Sequence, residues 1–346
     1  MIPKILYIGN KLSKHGYTPT TIETLGPKLN SLASVQTISS KKNTFRRLLE
    51  MWLAVTFAKS SNRVLLIDTY SSNAFHYAWT SALIATLKGL EYIPILHGGD
   101  FPKRMDQNTF LCKIFLNNAL NVVSPSSYLK KEVEKRVNTE ITIVPNFIDL
   151  DNYSFVSKSF DSIRLLWVRS FHQTYNPEMA IKVLRGLHDM GYTDTVLCMI
   201  GPDKDGSRAV VETLGKKLGV DHALEITGRL SKAEWIEKSK DYNIFINTTH
   251  FDNTPVSVME AMALGFPVVT TKVGGIPYLF VEGEEGIMTP ADDTGAMIEA
   301  IIELIKAPEH AAEMGLMARK KAEGWDWKNL KDKWIRLLSN TFHDKN

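Results

Sequence analysis

The chain has 346 residues, of which 44% are hydrophobic and 23% are charged, and its formal net charge is +3. One hydrophobic core rarely organises a chain of this length, so we predict two domains. Because the net charge is small, the composition gives no evidence for nucleic-acid binding. Cys112 and Cys198 lie far apart in apolar segments, which favours buried thiols in a reducing compartment over a disulfide or a metal site.

The first residues, MIPKILYIGN, lead directly into a predicted strand and lack the regions of a signal peptide. No apolar run reaches the roughly eighteen residues that a membrane span requires. We therefore expect a cytoplasmic protein, with peripheral contact at the inner face of the membrane as an addition to be tested.

Short β-branched runs alternate with segments of helical period, which is typical of β–α units around parallel sheets. A polar stretch without a clear period follows residue 146, and we predict the domain boundary within it, near residue 155. From about Met297 the chain reads as helices. The predicted strands are 4–9, 34–39, 63–70, 92–99, 121–126 and 141–146 in the first domain, and 163–168, 195–201, 224–228, 243–249 and 267–271 in the second.

This order predicts an α/β fold with two doubly wound, Rossmann-like sheets in series and a cleft between the domains. Ligands in such folds bind beyond the carboxyl ends of the strands, so we expect the functional residues in the turns from strand to helix.

The segment FDNTPVSVMEAMALGFPVV, residues 251–269, contains such a turn. Thr254 is predicted to cap a helix that begins at Pro255, and the N–H groups at a helix start attract anions. Glu260 lies one turn further in, and its side chain leans toward that start. Asp252 precedes the cap. The alternative is that both acids have only local structural roles, Asp252 favouring the helix dipole.

Residues 254–283, TPVSVMEAMALGFPVVTTKVGGIPYLFVEG, resemble the donor-binding signature of the retaining, GT-B-fold glycosyltransferases of family 4, also called group 1. Further segments that resemble this family follow in the expected order: 96–100, 122–133, 143–149, 200–206 and 226–235.

The resemblance implies domains at 1–155 for the acceptor and 156–325 for the nucleotide-sugar donor, and a last helix, 326–346, that returns to the first domain. It implies that Glu260 binds the ribose hydroxyls of the donor. Asp252, where the family usually has Glu, would bind the transferred sugar together with backbone N–H groups within the segment that runs from Asn253 through Thr254 and Pro255 to Val256.

His97 ends a predicted strand at the ligand edge and matches the active-site histidine of the family. A neutral imidazole there is expected to donate a hydrogen bond to a sugar hydroxyl or to the departing phosphate. The alternative is a structural histidine.

Arg169 follows the strand at 163–168, and its guanidinium suits a diphosphate. The family pattern has Gly-Arg and then Lys, whereas this chain has Arg169-Ser170 and then Tyr175, so one cation is missing. Lys204 or Arg229 is the candidate for the second charge. Both are otherwise ordinary exposed residues.

The turn after the first strand contains Gly9, Asn10 and Gly16 and resembles the family's glycine-containing loop near phosphate and acceptor. It matches neither a P-loop nor the dinucleotide fingerprint. Two D-x-D triplets, 149–151 and 203–205, lie in a linker and a turn, so we expect no essential metal and no cofactor.

Residues 41–59 are basic and then apolar, which fits a helix lying on a membrane surface or a helix covering the sheet.

The chain is therefore expected to transfer a hexose from a UDP-, GDP- or ADP-linked sugar to a saccharide or lipid-linked saccharide, with retention, as in polysaccharide biosynthesis. Two alternatives stay open. One is a binding protein with weakened catalysis, suggested by Asp252, Ser170, Tyr175 and Tyr278, and the other is a nucleotide-sugar epimerase of the same fold. A nicotinamide oxidoreductase is disfavoured because the dinucleotide glycine fingerprint is missing.

Overall fold

The structure is a computed structural model that describes residues 4–59 and 63–340. The chain divides into two compact units, which we call unit 1, Met1–Pro145 with Leu330–Asn346, and unit 2, Asn146–Asn329. The division falls ten residues before the predicted boundary at 155 because Ile148 and Tyr153 pack in a core of unit 2. Residues 341–346, at the end of the predicted returning helix, lie outside the described residues.

Unit 1 contains a six-stranded parallel sheet in the order β2-β1-β3-β4-β5-β6. Its central strands are apolar on both faces, as expected when helices cover both sides of a parallel sheet. The strands are β1 Lys4–Ile8, β2 Val35–Ile38, β3 Arg63–Thr69, β4 Tyr92–Leu96, β5 Val122–Ser124 and β6 Ile141–Ile143.

Three helices of unit 1 begin at side-chain caps. Thr20 and Glu23 form a capping box at the first helix, and Asn43 and Ser126 accept hydrogen bonds from backbone N–H groups at two others. The helices are α1 Thr21–Asn30, α2 Thr44–Phe57, α3 Phe75–Leu87, α4 Phe101–Gln107, α5 Thr109–Asn117 and α6 Ser127–Glu134.

Unit 2 contains a second six-stranded parallel sheet, in the order β12-β11-β10-β7-β8-β9. Alternate side chains of its central strand enter two separate cores, Leu165 and Trp167 on one face and Leu166 on the other. The strands are β7 Arg164–Val168, β8 Val196–Ile200, β9 Leu224–Gly228, β10 Ile244–Asn247, β11 Val268–Thr271 and β12 Ile287–Thr289.

The strand β12 was not predicted, since its three residues are too few to show a period. The helices of unit 2 are α7 Pro177–Asp189, α8 Ser207–Leu218, α9 Lys232–Lys238, α10 Val256–Ala263, α11 Thr294–Lys306 and α12 Pro308–Glu323. They are followed by α13 Trp327–Asn340, the last helix among the described residues.

Both cysteines are buried free thiols, as predicted. Within the described parts of the chain, every helix is too short or too polar to cross a membrane.

Candidate functional site

A buried aspartate organises the carboxyl edge of the sheet in unit 1. Asp68, near the end of β3, is fully buried. Its Oδ1 accepts hydrogen bonds from the Tyr7 hydroxyl at 2.7 Å and from His97 Nε2 at 2.7 Å, and its Oδ2 accepts from the Ile22 N–H, in the first turn of α1, at 3.1 Å. The carboxylate is therefore paired on both oxygens.

His97 lies one residue beyond the end of β4, and its side chain is 8% exposed. Its Nδ1 lies 3.4 Å from the Thr21 hydroxyl, and its ring lies 5.2 Å from that of Tyr70. A carboxylate only accepts, so Nε2 carries the hydrogen that points to Asp68. In this arrangement Nδ1 faces the Thr21 hydroxyl, and the predicted donation to a sugar hydroxyl or to the departing phosphate stays a prediction.

The tyrosines beside Asp68 stay neutral donors. Burial and the neighbouring Asp68 carboxylate raise the pKa of Tyr7 and of Tyr77 well above its usual value. The Tyr77 hydroxyl donates to the Asp68 carbonyl at 2.7 Å. The sequence analysis did not identify Asp68 as a site residue. Its one signal was that an acid lies inside the apolar run RVLLIDTY.

The glycine-containing loop after β1 adjoins this network at Gly9. A Cβ at Gly9 would lie 2.7 Å from Asp68 Oδ2, so only glycine allows this approach. The Asn10 carbonyl accepts a hydrogen bond from the Thr20 hydroxyl at 2.6 Å. Gly16 lies in an exposed turn with φ at 84°. The expected phosphate or acceptor role of this loop stays a prediction.

Two charged residues meet at the carboxyl edge of the sheet in unit 2. Arg169 follows β7 and Asp252 follows the neighbouring β10, and Arg169 Nη2 forms an ion pair with Asp252 Oδ2. The side chains are 12% and 15% exposed. Arg169 Nη1 also lies 3.4 Å from the Ser257 hydroxyl, and its guanidinium lies 4.0 Å from the centre of the Tyr175 ring. Tyr175 therefore supports the guanidinium face.

The start of α10 adjoins this ion pair. The helix begins at Val256 with Pro255 as its N-cap residue, so the predicted cap at Thr254 is wrong. The Thr254 hydroxyl oxygen and Arg169 Nε are both buried, and neither has a hydrogen-bond partner among the described residues. The Asn253 N–H donates to Asp252 Oδ1 at 2.8 Å. Buried polar atoms without protein partners are rare in proteins, so both atoms have hydrogen-bonding capacity that the described residues do not use.

Glu260 lies further along α10 and is 6% exposed. Its Oε1 accepts a hydrogen bond from the Tyr153 hydroxyl at 2.9 Å and forms an ion pair with Lys232 Nζ, at the start of α9. Burial and the Glu260 charge raise the pKa of Tyr153 above its usual value, so this phenol remains a donor. The partners Tyr153 and Lys232 are distant in sequence, and our prediction did not include them.

Two consecutive glycines hold the loop that carries Asp252. A Cβ at Gly274 would lie 2.0 Å from the Asp252 carbonyl oxygen, and one at Gly275 would lie 1.9 Å from the Asn253 carbonyl oxygen. The Gly275 N–H donates to the Asp252 carbonyl at 2.8 Å. The close backbone approach fixes where the loop presents its acid.

The remaining predicted residues are more exposed than Arg169, Asp252 and Glu260. Lys204 and Arg229 are exposed on the loops after β8 and β9, and Tyr278 is 46% exposed. The acids of the 203–205 triplet bind backbone N–H groups of their own and a neighbouring loop. In the described ranges, no group of three or more His, Cys, Asp or Glu residues is arranged to hold a metal ion.

Two family models match the chain. The model for glycosyl transferases group 1 matches residues 151–321, which contain Arg169, Asp252 and Glu260, and the model for glycosyltransferase family 4 matches residues 5–152. Together the two models match residues 5–321, which include most of each unit. The chain belongs to the group 1 glycosyltransferases.

The glycosyltransferase is 21% identical over 260 residues to an uncharacterized glycosyltransferase of Methanocaldococcus jannaschii, covering 75% of this chain and 71% of that protein. It is 29% identical over 135 residues to the D-inositol 3-phosphate glycosyltransferase of Corynebacterium efficiens, covering 38% of this chain and 31% of that protein. The matches span less than half the length of the D-inositol 3-phosphate glycosyltransferases found.

Solved structures share the fold of the glycosyltransferase. Sucrose-phosphate synthase of Thermosynechococcus elongatus has a TM-score of 0.81 at 14% identity, covering 99% of this chain and 100% of that one. HepE of Anabaena, in complex with UDP and glucose, has a TM-score of 0.75 at 14% identity, covering 98% and 100%. These likenesses and the two parallel sheets establish a GT-B fold for the glycosyltransferase.

Proposed function

We propose that the glycosyltransferase moves a hexose from a nucleoside-diphosphate sugar to a saccharide or lipid-linked saccharide, with retention at the anomeric carbon and without an essential metal. The observation that carries this proposal is the start of α10, where Arg169 and buried polar atoms without partners converge on a helix N-terminus. Such a cluster suits an anion with several oxygen atoms.

The diphosphate is assigned to Arg169 and the N–H groups of α10. The helix N-terminus carries positive partial charge, and the guanidinium adds a full charge in a fork that matches phosphate oxygens. To use this fork, the diphosphate must compete with Asp252 for Arg169. The two sources of positive charge support departure of the diphosphate without a divalent cation.

The ribose is assigned to Glu260. Among the described residues, both contacts of Glu260 are made through Oε1. Its Oε2 is therefore assigned to a ribose hydroxyl. Its low exposure strengthens hydrogen bonds to a charged acceptor. Asp252 and the adjoining N–H groups are assigned to the transferred sugar, which makes Asp252 the acid that changes partners when the donor binds.

In the proposed reaction, the bond between the anomeric carbon and the diphosphate oxygen breaks. A bond from the acceptor oxygen to the same face of the carbon forms, and the acceptor proton passes to the departing diphosphate. Stabilising the leaving group is the main contribution of Arg169 and α10, of about 3 kcal/mol for one well-placed donor. In unit 1, Asp68 orients His97 so that Nδ1 can form a hydrogen bond with a sugar hydroxyl.

The first experiment is calorimetric titration with UDP, GDP, ADP and their sugar conjugates, with and without EDTA. Since HepE was solved with UDP and with UDP-glucose, uridine nucleotides come first. We expect one nucleotide to bind, EDTA to have no effect, and Glu260→Ala to weaken binding about tenfold or more.

Glu299→Ala is the matched control, since Glu299 is an exposed helical glutamate of unit 2. Equal weakening by both variants, or no binding of any nucleotide at millimolar concentration, would contradict the donor site. With a turnover-competent donor, NMR of the first-formed product decides between retention and inversion, and loss of turnover in EDTA would refute metal independence.

A further inference from the structure

The helix α2 has an apolar row on the side that faces away from the core of unit 1. Met51 and Val55 of this helix are fully buried, while Phe45, Leu49, Leu53 and Phe57 are 70%, 43%, 46% and 78% exposed. The exposed residues recur every fourth position, so they follow one side of the helix. The helix therefore covers the sheet and also presents apolar side chains to solvent.

Two neighbouring helices also expose apolar side chains. The Trp52 indole of α2 donates to the Thr80 hydroxyl of α3 at 2.9 Å, and Lys88 Nζ, just after α3, donates to the Ala58 carbonyl at 2.8 Å, so the two helices run side by side. The helix α5 also packs against α3. We call the exposed apolar residues of these helices the outer helix surface: Phe45, Leu49, Leu53, Phe57, Leu83, Leu87, Phe110 and Ile114.

The exposed charges at the two ends of α2 are of one sign. Exposed cations flank α2 at both ends, Lys41, Lys42 and Arg46 at its start and Lys59 after its end. The only acid in α2, α3 and α5 is Glu50, which is half-buried and accepts a hydrogen bond from the Ser39 hydroxyl. An apolar surface with a basic border fits a phospholipid headgroup region that carries negative charge.

We propose that the outer helix surface docks the glycosyltransferase on an anionic lipid bilayer. The apolar side chains enter the boundary between headgroups and acyl chains, and the border cations each strengthen binding about fivefold at low ionic strength. The contact extends the surface expected from residues 41–59 to α3 and α5. It places the protein on the membrane and requires no spanning helix, and it does not depend on which donor or acceptor is used.

The test is vesicle flotation with phosphatidylcholine alone and with about a third phosphatidylglycerol. We expect binding to the anionic vesicles, at least tenfold weaker binding to neutral ones, and further weakening at high salt. Binding that is equal for both lipids would overturn the proposed charge contribution, and no binding at low salt would overturn the proposal.

The double variant Phe45→Ser with Phe57→Ser should reduce anionic-vesicle binding at least tenfold, because two aromatic side chains leave the contact. Met190→Ser with Val210→Ser is the matched control, since these residues of unit 2 are 59% and 48% exposed and lie outside the outer helix surface. Thermal unfolding of each variant shows that it is folded.

A second pair tests the charges. Lys42→Glu with Arg46→Glu should abolish the preference for anionic vesicles. The control, Lys182→Glu with Lys217→Glu, makes the same change of net charge on exposed residues of unit 2 and should preserve that preference.

If the outer helix surface instead joins two copies of the chain, light scattering will show a dimer that the Phe45→Ser, Phe57→Ser variant dissociates. That result would overturn the proposal.

Discussion

The polar centres of the two units differ in how completely their hydrogen bonds are satisfied. In unit 1 both oxygens of Asp68 are bonded, to Tyr7, His97 and the Ile22 N–H. In unit 2 the cluster at the start of α10 contains buried atoms of Arg169 and Thr254 that have no partner in the described chain. A satisfied centre holds its own geometry, whereas an unsatisfied one gains most from a ligand.

This difference in hydrogen bonding predicts different roles for the two centres. The Asp68 network fixes the orientation and tautomer of His97 before any substrate arrives. The Arg169 cluster is held by an ion pair with Asp252 that a diphosphate would replace. Substitutions in the Asp68 network should therefore affect stability and activity together, and substitutions in the Arg169 cluster should affect activity with little change of stability.

The largest effect is expected for Arg169→Ala. Removing the guanidinium should lower kcat/KM by about 10²- to 10³-fold, since one preorganised donor at a developing charge has that weight. Steady-state kinetics measures the loss, and thermal unfolding should show only a small shift.

The matched control for this prediction is Arg208→Ala, which removes a half-exposed ion pair with Glu212 on α8. It should cost about 0.5 kcal/mol of stability and leave turnover unchanged. If Arg169→Ala lowers the melting temperature sharply and kcat/KM only slightly, the arginine is structural, and the contrast between the two centres is lost.

Asp68→Asn should have the next largest effect, on stability. An amide cannot accept on both sides, so the Ile22 N–H or the pair of Tyr7 and His97 loses its acceptor, at a cost of about 2–3 kcal/mol. Urea unfolding measures this cost, and kcat should fall as well because His97 is released.

Asp106→Asn provides the control for the unit 1 prediction, since Asp106 is an exposed acid whose pKa is lowered by Arg136. Its loss should change stability little. A stability loss at Asp68 no larger than that at Asp106 would show that the buried network does not hold unit 1 together.

The smallest expected effect concerns a poorly compensated cation in unit 2. Burial lowers the pKa of Lys158 to about 8, although its Nζ donates to the Ser239 carbonyl at 3.1 Å and lies over the Phe266 ring. Between pH 8 and about 10.4, the unfolded chain therefore binds more protons, and stability rises with pH. Below pH 8 the full penalty applies.

Lys158→Met should therefore stabilise the protein at pH 7 by about 1 kcal/mol, after discounting for partial exposure, and the gain should vanish near pH 10.5. Urea unfolding at both pH values measures the difference, with the exposed Lys240→Met as the control. An equal gain at both pH values would mean that packing, not charge, is the cause.

The sequence predicted most of the fold because the strands are apolar runs between clear turn signals. Buried segments such as KILYIG and RVLLIDTY differ strongly from the helical segments between them. Three consecutive residues, Ile287–Thr289, gave no period, so β12 was missed. The start of α10 was misplaced by one residue because both Thr254 and Pro255 are common at helix starts, and local sequence does not rank them.

The candidate site was predictable only where local sequence carries the signal. Arg169, Asp252 and Glu260 stand out because they follow strands or lie in the donor-like segment. Asp68 did not, because an acid in an apolar run looks the same whether it is buried or at an edge. The Tyr153–Glu260 contact joins residues 107 positions apart, a pairing that only the tertiary fold creates.

The paired glycines behind the Asp252 loop have a consequence for mutational scanning. Neither Gly274 nor Gly275 has a side chain that could touch a substrate, yet any β-carbon there would collide with a backbone oxygen of that loop. An activity screen over all positions would score both as intolerant as a catalytic acid. Such a map, interpreted without the structure, would add Gly274 and Gly275 to the active site, although their only contribution is that they have no side chain.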